Sequence, residues 1–340
     1  MARTVPHEIL TRAGQLDDEI AFFERFGFRL VEIRPADDPR EALIVRDNLA
    51  LRLVVGHAGS TTIVLSGTGE SAVSPSENRI EWRLASVERP VIVPALVTVG
   101  PETDWTTGRA GMLYRDLVPG RLGDAVIASH IRIPNGGPVP DYEHHHEIVF
   151  QLIHCHRGWV KVVYEGQGDP FVLHPGDLVI QPPGIRHRVL EASDEMHVVE
   201  IGWPAEHATR PDPEVELPGP SLPAGHTWNG QRFVRHVARA RDGATGVVDT
   251  GVGAATDDLA RSFDVQLSAD SEISQPGATN GTFDFWFVDS GRTTFGLSTG
   301  ENFQLVEGSS LVVPPGVDVN VRSDTGARLL HVLVDTSRAG

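Results

Sequence analysis

Two stretches of the chain repeat one pattern, and this repetition restricts the fold more than any other feature of the sequence. They are PGDLVIQPPGIRH, from Pro175 to His187, and EGSSLVVPPGVDV, from Glu307 to Val319. Each contains a short apolar run between the same Gly and Pro turn residues, and similar short runs surround both copies. An internal duplication is therefore predicted, with each copy built as an antiparallel barrel or sandwich.

The rest of the chain divides around the two copies. Residues 1–112 contain a helical pattern, DDEIAFFERFGFRL, and three strand-like runs, FRLVEIRP, EALIVRD and LALRLVVG, which together predict a small α+β domain. The first barrel is expected over residues 113–205 and the second over residues 232–340. A proline-rich linker over residues 206–231 is expected to cross the surface in extended form. The predicted fold class is mainly β, with tandem barrels behind an α+β domain.

The charge of the chain limits its partners. The formal net charge is −17, and Lys161 is the only lysine among 29 basic residues. Such a surface repels polyanions, so no nucleic acid and no membrane is expected as a partner, and a small molecule is the expected ligand. The sequence starts without a signal-peptide core and has no apolar run of ~18 residues, which predicts a cytoplasmic protein. A single cysteine, Cys155, excludes an internal disulfide and a cysteine-cluster zinc site.

Five histidines lie in the segment YEHHHEIVFQLIHCHRG, from Tyr142 to Gly158. Alternate residues of a strand face the same way, so His144 and His146 share one face while His145 points to the other. Two imidazoles from one strand supply half of a metal site. The remaining ligands must come from other strands.

Two motifs contain these histidines, and they resemble the two sequence motifs of the cupins, a superfamily of jelly-roll barrels. The first consists of Gly137, His144, His146, Gln151 and Gly158, and the second of Gly176, Pro182, Gly184 and His187. Relative to the family pattern, one extra residue follows the first glycine, and glutamine replaces the acidic ligand. The tandem copies make the chain resemble a bicupin.

The cupin resemblance implies one divalent metal ion per chain. Carried over from the motifs, the ligands are His144, His146, His187 and the side-chain oxygen of Gln151. Iron is the first choice, and Zn, Ni, Mn and Cu also suit imidazole and oxygen donors. Because Gln151 is neutral, it leaves the full charge on the ion and makes the ion a stronger Lewis acid.

The other polar residues on the strands around the predicted metal site are not expected to be metal ligands. His154 and His156 are expected to face away from the barrel interior, at the surface or in support of the site, while Cys155 faces the cavity as a small hydrophobe. His197 and Glu200 are expected either to line the mouth of the pocket or to lie on a solvated strand face.

The second barrel lacks histidine at the positions that correspond to the metal ligands. A metal-free barrel that serves packing, dimerisation or pocket closure is therefore predicted. The corresponding positions are Gly277, Thr279, Asp284 and Val319.

The helix and strands near the start of the chain resemble one module of the glyoxalase/bleomycin-resistance (vicinal oxygen chelate) family, over roughly residues 5–70. That family builds a metal site from paired modules. His7 lies near the place of its first ligand, but no second module is present. The resemblance therefore implies a structural or dimerising domain.

With tandem barrels of which one is expected to bind a metal, the chain resembles the bicupin dioxygenases. This implies a metal-dependent oxidoreductase, a non-haem Fe(II) dioxygenase that uses O₂ on a small chelating diketone, phenolic or enol substrate. The neutral Gln151 also resembles the ligand of cupins that act without redox chemistry, so the alternative is a cyclase, isomerase or lyase with Zn, Ni or Mn. A ligand-binding cupin without turnover is the third interpretation. A homodimer is expected because tandem barrels expose edge strands.

Overall fold

The computed structural model describes residues 8–35, 37–66, 70–83, 87–102, 104–212, 214–223, 225–238 and 244–338. The chain forms two compact units, Met1–Ser86 and Val87–Gly340. No helix in these described ranges is long and apolar enough to cross a membrane. His7 lies outside the described residues.

The first unit contains a helix and two small sheets. Its elements are β1 (Ile9–Ala13), α1 (Leu16–Glu24), β2 (Arg29–Arg34), β3 (Glu41–Arg46), β4 (Leu49–Val55), β5 (Thr62–Ser66), β6 (Ala72–Val73) and β7 (Arg79–Arg83). One sheet has the order β1-β4-β3-β2 and the other the order β5-β7-β6. Ile20 and Phe23 of α1 are buried, as their helical spacing requires. The helix and the three strands predicted here are all present, while the resemblance to a vicinal oxygen chelate module stays a prediction.

The second unit begins with the barrel that carries the histidine-rich segment. Its elements are β8 (Val97–Val99), β9 (Thr106–Thr107), β10 (Leu113–Asp116), α2 (Arg121–Asp124), β11 (Ile127–Ile133), β12 (Gly137–Pro138), β13 (His144–Glu147), β14 (Phe150–Arg157), β15 (Val160–Tyr164), β16 (Phe171–Leu173), β17 (Leu178–Ile180), β18 (His187–Ala192), β19 (Met196–Trp203) and β20 (Ala208–Pro211). The two facing sheets have the orders β17-β14-β19-β11-β10-β9 and β16-β15-β18-β13-β20.

A second barrel of the same kind follows. Its elements are β21 (Val234–His236), β22 (Gly246–Asp249), α3 (Val252–Ala255), β23 (Ala260–Leu267), β24 (Ser271–Gln275), β25 (Thr282–Leu297), β26 (Asn302–Val306), β27 (Ser310–Val313), β28 (Val319–Ser323) and β29 (Ala327–Asp335). One sheet has the order β22-β23-β29-β25-β27. The second half of β25 pairs with β26 and β28, and β24 pairs with β28. The fold is mainly β with tandem jelly-roll barrels, as predicted.

The strand register confirms the duplication. In the first barrel β14 pairs with β17 and β19, and in the second β25 pairs with β27 and β29 in the same arrangement. The repeated phrases end in the same turn, where Gly184 has φ 82° and Gly316 has φ 78°. Glycine adopts this left-handed conformation without steric cost, which explains why both copies keep it.

Each barrel also receives one strand from the flank of the other. β8 pairs with β27 of the second barrel, and β21 pairs with β17 of the first. Short edge strands of this kind carry no distinctive sequence pattern, and the domain boundaries predicted at residues 112 and 232 stay predictions. The predicted linker likewise contains β20, which pairs with β13.

A shared hydrophobic cluster joins the two barrels. Phe150 and Trp203 of the first barrel pack in this cluster with Phe285 and Phe287 of the second, and all four are buried. Each barrel has a further apolar cluster of its own. The two barrels are therefore one packed body, which is why the outer face of β14 can be buried.

Candidate metal centre

Three imidazoles meet inside the first barrel. His144 and His146 come from alternate positions of β13, and His187 opens β18, where it pairs directly with His144. Ring centroids lie 4.3 Å apart for His144 and His187 and 5.2 Å apart for His146 and His187. One ring nitrogen from each residue lies within 4.8 Å of the others. This is the spacing at which three imidazoles could hold a metal ion.

Hydrogen bonds fix the orientation of these rings. His144 Nδ1 donates to the carbonyl of Tyr142 at 2.7 Å, and His187 Nδ1 donates to the carbonyl of Ile185 at 3.1 Å. Because a carbonyl only accepts, the proton of each ring lies on Nδ1 and the lone pair on Nε2. The Nδ1 atom of His146 is 3.0 Å from the hydroxyl of Thr209 on β20. Such partners at the other nitrogen are typical of metal-binding histidines.

Burial keeps the three imidazoles neutral. Desolvation is the largest cause, and it lowers the pKa of His144 and of His146 and puts the pKa of His187 well below its usual value. The neighbouring imidazoles lower the pKa of His146 and His187 further. Neutral imidazole is the form that binds metals, so the cluster needs no deprotonation near neutral pH.

Gln151 at the start of β14 lines the same cavity. Its Nε2 donates to Glu200 Oε1 at 2.5 Å, while its Oε1 is buried and has no hydrogen-bond partner among the described residues. A buried polar atom without a partner costs about 1–3 kcal/mol, so it is a place where a ligand is expected. The four residues predicted from the motifs are thus brought together, and their donor set fits a divalent ion.

Two charged residues that the sequence did not indicate stand beside the cluster. Arg109 Nη1 donates to Asp141 Oδ1 at 2.7 Å, and its Nη2 donates to Nε2 of His144 at 3.2 Å. Asp141 also accepts from the backbone N–H of Val189 at 2.9 Å. Arg109 lies on a 3₁₀ turn between β9 and β10, outside both motifs, so no pattern in the sequence could have indicated it.

The cluster lines a cavity of about 440 Å³ within the first barrel, a volume typical of small-molecule sites. Glu200 lines this cavity, which decides between the two places predicted for it. His197 does not line it and contacts His130 instead, with 3.0 Å between ring nitrogens.

The other two histidines of β14 are buried between the barrels. His154 Nε2 and His156 Nδ1 lie 2.8 and 3.1 Å from the same oxygen of Asp289 in the second barrel. They do face away from the barrel interior, but a surface position was the wrong expectation, because strand alternation gives the face of a side chain and not what covers that face. Cys155 packs inside, where burial raises the pKa of its thiol and makes it a poor nucleophile.

The second barrel has a different polar pair in its interior. His331 Nε2 donates to Asp284 at 2.9 Å, and the ring of Trp286 stacks on His331 at 3.7 Å. The other predicted positions offer a backbone without a side chain at Gly277, a hydroxyl at Thr279 and an apolar side chain at Val319. His331 had not been singled out because it lies on the last strand, outside the motif spacing.

Residues 129–202 match the family model described as Cupin domain. The fold of a large part of the chain is similar to that of solved structures of oxalate decarboxylase from Bacillus subtilis. One of them shares 13% identity with a TM-score of 0.52, covering 70% of this chain and 76% of that chain. Another, solved to assign the Mn(II) centers of that enzyme, shares 14% identity with a TM-score of 0.51, covering 71% and 78%. At this identity the likeness shows the fold alone. Among curated proteins, none matches this chain.

Proposed function

We propose that this chain is a metal-dependent cupin enzyme that carries out a non-redox lyase or isomerase reaction on a small oxygen-chelating substrate. His144, His146, His187 and Gln151 are the proposed ligands of one Zn, Ni or Mn ion. The cupin match, the three-imidazole cluster and the free oxygen of Gln151 support this proposal. Manganese is included because oxalate decarboxylase, which has a similar fold, has Mn(II) centers, and because this ion suits imidazole and oxygen donors.

The observation that carries the proposal is the pair formed by Gln151 and Glu200. The amide of Gln151 holds Glu200 at 2.5 Å, and no cationic side chain among the described residues forms a salt bridge with Glu200. A carboxylate that lies beside a metal site, without ligating and without an ion pair, can exchange a proton with a substrate. Metal-assisted proton transfer needs this combination.

Each residue of the site has a role in such a reaction. A bound divalent ion supplies Lewis acidity toward a substrate oxygen. Glu200 accepts a proton from the carbon adjacent to the carbonyl group that carries this oxygen, and returns it to another atom of the substrate. Gln151 holds the carboxylate in place through its N–H, and the apolar wall of the cavity limits the access of water.

The test measures proton transfer without oxygen. The protein, loaded with Zn, Ni or Mn under argon, is incubated in D₂O with 2-oxo acids and diketones, and deuterium incorporation and new products are followed by NMR. We expect exchange or turnover with the wild type. Glu200→Gln should lower the rate by roughly 100-fold, the usual contribution of a general acid or base. Metal content should stay unchanged.

Glu195→Gln is the matched control, because Glu195 is an exposed carboxylate of the same barrel that pairs with Arg132. Its rate should equal that of the wild type. If Glu200→Gln is as active as this control, Glu200 has no role in proton transfer and the proposal fails.

A second candidate is the Fe(II) dioxygenase expected from the sequence. The observation in its favour is the four-ligand set of neutral donors facing a mostly apolar cavity, where a chelating substrate and O₂ could both enter. Elemental analysis of protein purified without added metal, combined with an oxygen electrode and a panel of diketones, catechols and flavonols, decides between the two. Near-stoichiometric iron with substrate-dependent O₂ uptake would replace the first proposal with this one.

The oligomeric state and the cellular location of the protein also stay proposals. We propose a homodimer, which light scattering would check by mass, and a cytoplasmic location. Ligand binding without turnover is the outcome that remains if neither assay detects a reaction while the metal and a probe still bind.

A further inference from the structure

The cavity extends from the imidazole cluster into the apolar interior of the barrel. Gln151 and Ile127 both pair with Gly202 at one end of β19, whereas Ile133 pairs with Met196 at the other end. Both ends line the cavity. Along β19, Met196 and Gly202 are six positions apart, a length of about 20 Å. The space is therefore long and begins at the metal ligands.

The far part of this cavity is lined by aliphatic side chains. They include Ile131, Ile133, Val160, Val162, Leu173 and Val198. An empty apolar cavity costs stability because the side chains around it lose packing contacts. Three polar side chains of the lining, those of Arg109, Thr209 and Tyr164, contact the imidazoles directly, so an occupant needs one polar end and one apolar end.

The charges at the polar end select for one negative charge. Arg109 contributes one positive charge, while Asp141 and Glu200 contribute two negative ones, and the imidazoles are neutral. A divalent ion bound by neutral ligands would leave one net positive charge. A substrate with a single anionic group balances it, and a dianion exceeds it.

Arg109 is the residue placed to bind this anion. Its Nη2 donates to His144 Nε2, the atom that offers its lone pair to a metal. A metal-bound nitrogen no longer accepts a hydrogen bond, so metal binding frees an N–H of Arg109 beside the ion. Its Nη1 stays on Asp141, which is fully buried and holds the guanidinium in position.

From these observations, and resting on the proposed metal function, we infer that the substrate is a monoanion with a chelating oxygen head and an extended apolar body. Arg109 binds the anionic oxygen, and the aliphatic interior of the barrel receives the body. The oxalate dianion, which gives the similar solved structures their name, would leave this interior unfilled.

The test is calorimetric binding of four probes to Zn(II)-loaded protein. The probes are 2-oxooctanoate, its methyl ester, 2-oxopropanoate and oxalate. We expect 2-oxooctanoate to bind most tightly and the ester roughly tenfold or more weakly, because the ester cannot form the charge-assisted hydrogen bond. Affinity should fall about fourfold for each buried methylene removed toward 2-oxopropanoate. Oxalate or the ester binding as tightly as 2-oxooctanoate would overturn the inference.

Arg109→Gln assigns the anion contact. In this variant the ratio of the affinity for 2-oxooctanoate to the affinity for its methyl ester should fall to near one. The Zn content, measured by elemental analysis, should stay at the wild-type level. The control is Arg132→Gln, which changes a partly exposed arginine of the same barrel that does not line the cavity, and it should keep the wild-type preference. If Arg109→Gln keeps it too, Arg109 does not bind the anion and the inference fails. If the wild type binds no metal at all, the proposed function fails, and the inference with it.

Discussion

The two barrels place different side chains at equivalent points of the same fold. In the first barrel, Gln151 of β14 contacts Glu200 of β19, and Ile153 of β14 pairs directly with Glu200. At the equivalent positions of the second barrel, Asp284 of β25 contacts His331 of β29, and Trp286 of β25 pairs directly with His331.

The difference shows how one barrel stays open while the other is filled. In the second barrel, Trp286 lies flat on His331 with an interplanar angle of 10°, and His331 in turn donates to Asp284. The polar pair is thus covered by an aromatic ring. In the first barrel the smaller Ile153 leaves a cavity next to Glu200. The size of the side chain at this one position therefore distinguishes a barrel with an open cavity from a barrel with a packed interior.

Removal of one imidazole from the first barrel should have the largest effect. His187→Ala should lower metal affinity by more than about 100-fold, since even the loss of a group that supports a ligand costs 10–100-fold. Metal per chain is measured by elemental analysis after dialysis. His331→Ala, the matched change in the second barrel, should leave metal content unchanged. A full equivalent of metal in His187→Ala would refute the ligand assignment.

The second-largest effect is expected when the cavity of the first barrel is filled with the tryptophan that the second barrel has at the equivalent position. Ile153→Trp is expected to weaken binding of 2-oxooctanoate by roughly 100-fold, because the indole occupies the space that the apolar body needs. Calorimetry on the metal-loaded protein measures this. Ile153→Val is the control and should bind nearly as the wild type does. Undiminished binding to Ile153→Trp would show that the body lies elsewhere.

The reverse exchange should open the second barrel. Trp286→Ile is expected to lower the free energy of unfolding by about 2–4 kcal/mol, because the ring is fully buried and its removal leaves a cavity. Urea denaturation measures the loss, and metal content serves as the control for an intact first barrel. A loss below about 1 kcal/mol would mean that neighbouring side chains collapse into the space.

The smallest effect is expected from removing the charge of Asp289 at the contact between the two barrels. Burial alone would raise the pKa of Asp289, but His154 and His156 outweigh it and hold this pKa below its usual value. A carboxyl with a lowered folded-state pKa stabilises the protein above its unfolded pKa and loses that contribution as pH falls. Asp289→Asn should therefore cost about 1–3 kcal/mol at pH 7. The difference should shrink below about pH 4, near the ordinary pKa of aspartate. A pH-independent difference would contradict this electrostatic account.

Much of the site followed from spacing in the sequence. Alternation along β13 put His144 and His146 on one face, and the second motif brought His187 next to them, because motif spacing reflects strand pairing. The same spacing placed Gln151 in the cavity. These are local or repeated patterns, which a single sequence carries.

Other features depend on contacts that no local pattern encodes. Arg109 reaches the site from a turn outside both motifs, and Thr209 reaches it from a segment that was predicted to be a linker. His154 and His156 were assigned the correct face, but only the second barrel shows what covers them. The structure supplies the long-range neighbours that periodicity cannot indicate.

The strands that each barrel takes from the flank of the other affect how the chain is made. β8 leaves the ribosome long before the second barrel whose sheet it completes, and β21 follows the last strand of the first barrel. The nascent first barrel therefore lacks an edge strand until about residue 236 has emerged. A truncated gene that ends at the linker would encode a barrel with an unprotected edge, and such an edge is prone to aggregation.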